Sequence, residues 1–503
     1  MSRRCGWRAR LILNTIGQVR RAARVVWRGP VNRLAVLTSL ALAATIPGAA
    51  LPATAPQAPA VGEQAALVLV INAGDRILRF DWPAIRIGTG EYEEGPTGLT
   101  VFHFPKRASA AVDVRGGSPG TVNTDYLRQG YPGPQLDAVV FAGGSAYGLE
   151  ATTAVASAMK DDGLRGGAWD NIGFAAGAII YDLGDRRLNE VYPDKRLAQA
   201  AYRAARPGVF PLGAQGAGRF AMNGRLFGCN VYSGQGGAFR QSGDLKIAAF
   251  VVVNAVGVVT TRDGRVAACY RSPSWPADLR TADLFARFPA SSRGEWPAVA
   301  TEPRGNTTIS LVVINRQLQP AQLQRLAAQV HTSMARAVQP FATEFDGDVL
   351  YAVSTGELDS PASGFEAIQI DVLASEVMWD AVLASIPEQP PAAAPDAAAA
   401  PKAEELRRYT GDYGFGRGVC LRIAADGASL SAVAAGAQPI YAIGRTAPTL
   451  LQPAGGSEFR VPGRYPLSLR FDGAGSVVVN PGHWQQTGER RRSCTPPSPG
   501  DAK

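Results

Sequence analysis

Residues 228–259 read GCNVYSGQGGAFRQSGDLKIAAFVVVNAVGVV, and their reading decides the fold. Ile247 to Val253 is an apolar, largely β-branched run that ends in Asn254-Ala-Val-Gly257. Such a run between turn residues is the pattern of a buried strand. Gly234, Gly236 and Gly237 stand just ahead of it. Glycines there allow tight turns and close approach of the backbone to another segment or a ligand. The expectation is a glycine loop feeding a core strand, with the small polar Asn254 at its far end.

Outward from this strand, buried strands alternate with apolar helices. Strands are expected at 66–71, 98–105, 110–121, 136–142, 175–183, 305–314 and 349–353, and helices at 150–160, 197–205, 321–338 and 374–385. Along 321–338, Leu323, Leu326, Ala327, Val330 and Met334 fall at helical spacing and mark a core face. His331 beside them is expected to be structural. The alternation predicts an α/β or α+β domain whose sheets are covered on their outer faces. Residues 387–402 are a Pro/Ala linker unable to form a core. Short alternating runs with turns at Asp426-Gly427, Gly455-Gly456 and Asp472-Gly473 then predict a small all-β domain over 403–503.

The chain has 503 residues, 46% of them hydrophobic, enough for more than one domain. Its net charge of +9 equals the nine arginines of residues 1–33, which contain no acidic residue. The remainder is neutral, which argues against nucleic-acid binding. Leu34 to Ile46 is a 13-residue apolar run followed by small residues. A basic region, a short apolar region and a small-residue exit make residues 1–55 a secretory signal and 56–64 a linker. An uncleaved membrane anchor is the alternative. The expected location is periplasmic or secreted, with membrane contact only through this segment. Cys229, Cys269, Cys420 and Cys494 would remain after export, an even number that suits an oxidising compartment. Cys420 and Cys494 share one segment and could pair. The three histidines lack metal-ligand spacing, so no metal or other cofactor is expected.

Gly143-Gly-Ser-Ala-Tyr-Gly148 lies between an expected strand and helix. Such a turn gathers free backbone N–H groups fit for a carbonyl or carboxylate oxygen, or else Ser145 only caps the helix. The spacing is not that of a nucleophile elbow. Gly213 to Gly218 matches neither a phosphate loop nor a dinucleotide fingerprint.

Several strings together resemble the L-aminopeptidase/D-esterase (β-aminopeptidase) family. They are Val112-Asp-Val-Arg-Gly-Gly-Ser-Pro-Gly-Thr121, Ala142-Gly-Gly-Ser-Ala-Tyr-Gly-Leu149, Val253-Asn-Ala-Val-Gly257, Gly305-Asn-Thr-Thr-Ile309 and Phe345-Asp-Gly-Asp348 with Ser354-Thr-Gly356, in family order. The resemblance covers residues 95 to about 357. It implies a four-layer αββα sandwich over 65–386 and a precursor that cuts itself before a Ser or Thr. The freed residue becomes an N-terminal nucleophile acting on short peptides, amino-acid amides or esters. It also implies Gly143, Gly144, Ser145 and Tyr147 as substrate-binding residues, Asn254 and Thr307 as residues near the reacting loop, and a possible homo-oligomer. Aligned on Asn254, the nucleophile position falls at Gly237 or Gly236, which have no hydroxyl. Ser233 and Ser242 are the displaced candidates, and both are also plausible turn residues. Two readings follow: an active hydrolase, or an inactive descendant that binds a small peptide or amino-acid derivative. No carboxylate is evident as a charged helper. The 403–503 module looks like the small β-domain appended to some exported serine hydrolases, on Tyr409-Thr-Gly-Asp-Tyr413.

Overall fold

The computed structural model describes residues 64, 66–128, 133–270, 276, 278–288, 306–359, 364–389, 402–461, 467–473 and 475–494. The expected export segment 1–55 and, except for Gln64, the linker 56–64 lie outside them, as does most of 387–402. Among the described residues no helix is long and apolar enough to cross a membrane.

The first domain is built around eight strands: β1 (Arg86–Tyr92), β2 (Thr97–Val114), β3 (Gln135–Ala142), β4 (Ala175–Ile179), β5 (Gln235–Ser242), β6 (Leu245–Asn254), β7 (Thr307–Arg316) and β8 (Val349–Leu358). One sheet runs β5-β6-β7-β8 and onto the second half of β2. The other runs β1, the first half of β2, β3 and β4. The 18-residue β2 belongs to both: Thr97–His103 pairs with β1, and Ser109–Val114 pairs with β8. Sequence reading divides this stretch into two strands at Pro105. The backbone instead stays extended through Pro105 and Lys106, which are exposed where the strand passes from one sheet to the other. A proline is tolerated there because no ladder partner is needed at that point.

Alternation along β6 makes the layers. Ala248, Phe250 and Val252 face the second sheet, where Phe250 packs at 4.9 Å from both the Phe102 and Phe210 rings. Ile247, Ala249, Val251 and Val253 face helices α3 (Pro320–Ser333) and α4 (Gly364–Ala384). On the far side α1 (Glu150–Asp161) and α2 (Lys195–Arg203) cover Val101, Val140 and Ile179. The architecture is an αββα sandwich, as the sequence implied. α3 ends five residues before the expected position, and α4 starts ten residues earlier, at Gly364.

Gly236 and Gly237 are not in a loop: they lie in β5, hydrogen-bonded antiparallel to β6. A Cβ on Gly236 would sit 1.9 Å from the Ala381 carbonyl of α4, so glycine is what lets helix and strand touch. Past the second linker, eight strands from Gly411–Gly414 to Gln486–Arg491 close into a barrel. Its interior is filled by Leu421, Ile423, Leu430, Phe459, Leu469 and Val477. Disulfides join Cys229 to Cys269 and Cys420 to Cys494.

Candidate active site

The site is where β6 ends and β7 begins. Asn254, the last residue of β6, stands in register with Thr307, the first of β7. Both are fully buried. The Thr307 hydroxyl lies 2.5 Å from the carbonyl oxygen of Asn306, the residue before it. That carbonyl accepts a hydrogen bond from Gly347 N–H at 3.0 Å. Thr307 Oγ1 accepts from Tyr181 N–H at 3.4 Å, and Asn254 donates to the Tyr181 carbonyl at 3.1 Å. The Thr307 hydroxyl thus donates to the carbonyl of the residue before it, and Gly347 N–H donates to the same oxygen, so the 306–307 peptide and the hydroxyl are held together in one buried network.

The Asp346-Gly347-Asp348 turn packs against this pair. A Cβ on Gly347 would lie 3.2 Å from Thr307 Oγ1. Asp348 accepts from Thr308 N–H at 2.5 Å and from Ala342 N–H at 2.9 Å. Asp346 accepts from Val256 N–H at 3.2 Å and from Thr343, through N–H at 3.1 Å and Oγ1 at 2.6 Å. Both carboxylates are buried, and among the described residues neither forms an ion pair. Burial, and then the neighbouring Asp346 charge, push the Asp348 carboxyl well above the usual carboxylate range; burial raises Asp346 too. The Arg115-Gly-Gly-Ser118 string closes the back of the turn. Gly116 N–H donates to the Asp348 carbonyl and Ser118 N–H to the Asp346 carbonyl, at 3.2 and 2.9 Å. Side chains at Gly116 or Gly117 would collide with that backbone. Four of the motif strings thus meet around one buried hydroxyl.

Other expected site residues lie differently. Gly237 is in mid-strand opposite Phe250, four residues from Asn254 along β6. A side chain there would press on Phe210 and Leu78 between the sheets. Ser233 is fully buried and donates its hydroxyl to the Val253 carbonyl, while Ser242 is exposed at the end of β5. Gly143, Gly144 and Ser145 use their backbone N–H groups internally, on the Gly98 carbonyl, the Asp182 carboxylate and the Ile180 carbonyl. The anion that the turn holds is therefore the protein's own Asp182, itself paired with Arg187 at 3.2 Å. Ser145 does not cap the helix; its Oγ accepts from Leu183 N–H. Only the Tyr147 ring, 64% exposed, remains free of the scaffold, 5.6 Å from Tyr192. His331 is buried in α3 and bonded to Asp113 at 2.8 Å.

Asp346 and Asp348 are buried carboxylates in the turn beside Thr307 to which sequence reading gave no role. Their signal was present: Phe345-Asp-Gly-Asp348 is one of the strings that carry the family resemblance, with two acids around a glycine. Asn223 also went unread. It is buried, its amide has no partner among the described residues, and it follows Met222, whose N–H bonds to Asn254. Among the described residues no group of three or more His, Cys, Asp or Glu side chains is arranged for a metal ion.

A buried hydroxyl thus stands at the mouth of a core strand, at one end of a paired-sheet sandwich. The profile of Peptidase family S58 matches residues 80–389, and the chain belongs to that family of aminopeptidase- and amidase-type hydrolases. A 6-aminohexanoate-oligomer endohydrolase of Paenarthrobacter ureafaciens is 41% identical over 329 residues, covering 63% of this chain and 88% of that protein. An uncharacterised aminopeptidase of Mycobacterium tuberculosis is 34% identical over 273 residues, 52% of this chain and 75% of that one. Among solved structures, a Burkholderia sp. β-aminopeptidase aligns with TM-score 0.44 and 17% identity, over 62% of this chain and 88% of that chain.

Proposed function

We propose that this chain is a self-cleaving amide hydrolase that cuts its own Asn306–Thr307 bond and then uses Thr307 as the nucleophile. The observation that supports this is the meeting of four motif strings around the buried Thr307, whose hydroxyl is hydrogen-bonded to the Asn306 carbonyl under the Gly347 N–H.

In the first step Thr307 Oγ adds to the Asn306 carbonyl carbon while its proton passes to the Asp346–Asp348 pair. The raised carboxyl of Asp348 suits it to hold that proton and return it. Collapse breaks the C–N bond and leaves an ester on Thr307, whose nitrogen takes up the proton. Water then hydrolyses the ester, freeing the Asn306 carboxylate and a Thr307 that carries both a hydroxyl and an α-amine. In turnover the α-amine accepts the hydroxyl proton, Oγ attacks the substrate amide, and the substrate amine leaves with a proton. A second water releases the acid. Gly347 N–H, freed from Asn306, serves the substrate carbonyl oxygen.

The substrate class is short linear amides, including oligomers of ω-amino acids such as those named for the Paenarthrobacter relative. The chain is exported, a reading supported by its two disulfides, which persist in oxidising compartments. N-terminal sequencing of the fragments on a denaturing gel tests the reading. A fragment beginning at Thr307, absent from Thr307→Ala, is expected. A single uncut chain without turnover of linear amides would favour the inactive, peptide-binding descendant instead.

A further inference from the structure

The barrel does not stand apart from the catalytic layers. Trp484 stacks on Tyr232 at 3.8 Å with their planes 2° apart, and its indole donates to the Arg219 carbonyl. Gln486 bonds both Leu188 and Arg186 backbone groups, and Leu188 packs into the barrel core. Between the two bodies lies a small cavity, partly open to solvent.

One wall comes from the catalytic domain: Arg186, Leu188, Phe220, Met222 and Tyr232. The other comes from the barrel: Ile440, Tyr441, Leu467, Val479 and Asn480. Most of this surface is apolar. Asp185 at its edge is already paired with Arg225 at 3.3 Å. The Arg186 guanidinium is partly buried and makes no ion pair or hydrogen bond among the described residues. The Asp185 carboxylate also attracts Arg186, so two guanidinium groups share one carboxylate and the cavity keeps a net positive charge among aliphatic and aromatic walls, which a bound anion would offset.

Two short connections link the cavity wall to the Asn254–Thr307 pair. Met222, in its wall, bonds Asn254 through its N–H, and Tyr181, against Thr307, lies five residues from Arg186 on one loop. The family match ends at residue 389, before the barrel, so half of this cavity is built from sequence outside it.

We propose that the cavity between the 181–188 loop and the C-terminal barrel is a subsite for a carboxylate at the end of an aliphatic chain, with Arg186 as its counter-ion. The inference rests on the amide-hydrolase reading for its substrate. The carboxylate belongs to the half of a linear ω-amino-acid amide that leaves as the amine. The barrel thereby sets which substrates are bound.

Two measurements test it. Calorimetric titration with hexanoate and with hexanamide needs no catalysis. Hexanoate is expected to bind at least about tenfold more tightly than hexanamide. Arg186→Gln should abolish that preference and Arg186→Lys restore part of it, with thermal melting confirming that both variants fold. Equal binding of the two ligands by the wild type, or a preference that survives Arg186→Gln, overturns the subsite. Kinetically, a 6-aminohexanoate dimer and its C-terminal methylamide should differ in KM, and the ratio should approach one in Arg186→Gln. A protein that binds hexanoate through Arg186 yet hydrolyses neither dimer keeps the subsite and loses the catalytic reading.

Discussion

β5 and β7 flank the same strand and use opposite means to meet it. β5 brings Gly237 against Phe250, at a place where any side chain collides with Phe210. β7 brings Thr307 against Asn254, at the strand mouth, with its hydroxyl on a carbonyl. Gly236 lets α4 approach the sheet and Gly237 leaves room for Phe210 between the sheets; both are packing. The proposed chemistry sits some four residues away, roughly 14 Å at strand rise, where the regular ladder ends. A glycine-rich motif beside a core strand is thus no guide to where a nucleophile lies.

The sharpest way to break this contrast is Thr307→Ala. It should abolish self-scission and lower turnover on the order of 10³-fold or more, while Thr307→Ser retains scission. Asp348→Asn should slow scission by about 10²-fold or more, read from the time course of fragment appearance. In the wild type the scission rate should rise with pH above the ordinary carboxylate range, since only the ionised carboxylate accepts the proton. Stability follows with the opposite sign. Asp348 holds its proton more tightly folded than unfolded, so its cost is absent at acid pH and grows as pH climbs toward the raised value. Denaturant titrations across pH should therefore show the stability difference moving in favour of Asp348→Asn as pH rises.

On the β5 side, Gly237→Ser should create no new cut site and cost about 1–3 kcal/mol through overpacking, measured by urea unfolding. A new cut at residue 237 would reverse the comparison. The smallest change is Ser233→Ala, which loses one hydrogen bond to Val253, worth about 1 kcal/mol, and leaves turnover within about twofold.

Much of the fold was legible because β6, α3 and the barrel strands obey their periods cleanly. β2 was not, since Pro105-Lys-Arg107 breaks the apolar pattern where one strand changes sheets. At the site, Asn254 and Thr307 could be named from motif strings, but not their register, which depends on strands far apart in sequence. The acids of the 346–348 turn were hidden for the same reason. Nothing local distinguishes a surface Asp-Gly-Asp from one sealed under Gly116 and Gly117. The 143–148 turn reads in the sequence either as a site for a carbonyl or carboxylate oxygen or as a serine cap, and only the fold reveals that Gly144 N–H there is bonded to Asp182.

The order β5-β6-β7-β8-β2 has a consequence for the protein once cut. Scission before Thr307 assigns β7 and β8 to one polypeptide and β6 and β2, on either side of them, to the other. Neither disulfide bridges the two, because Cys229–Cys269 precedes the cut and Cys420–Cys494 follows it. The products interleave like the fingers of two hands, and parting them means opening two ladders at once. Under the proposed scission, then, the two polypeptides are held by the sheet itself and acquire their interleaving by folding first as one chain.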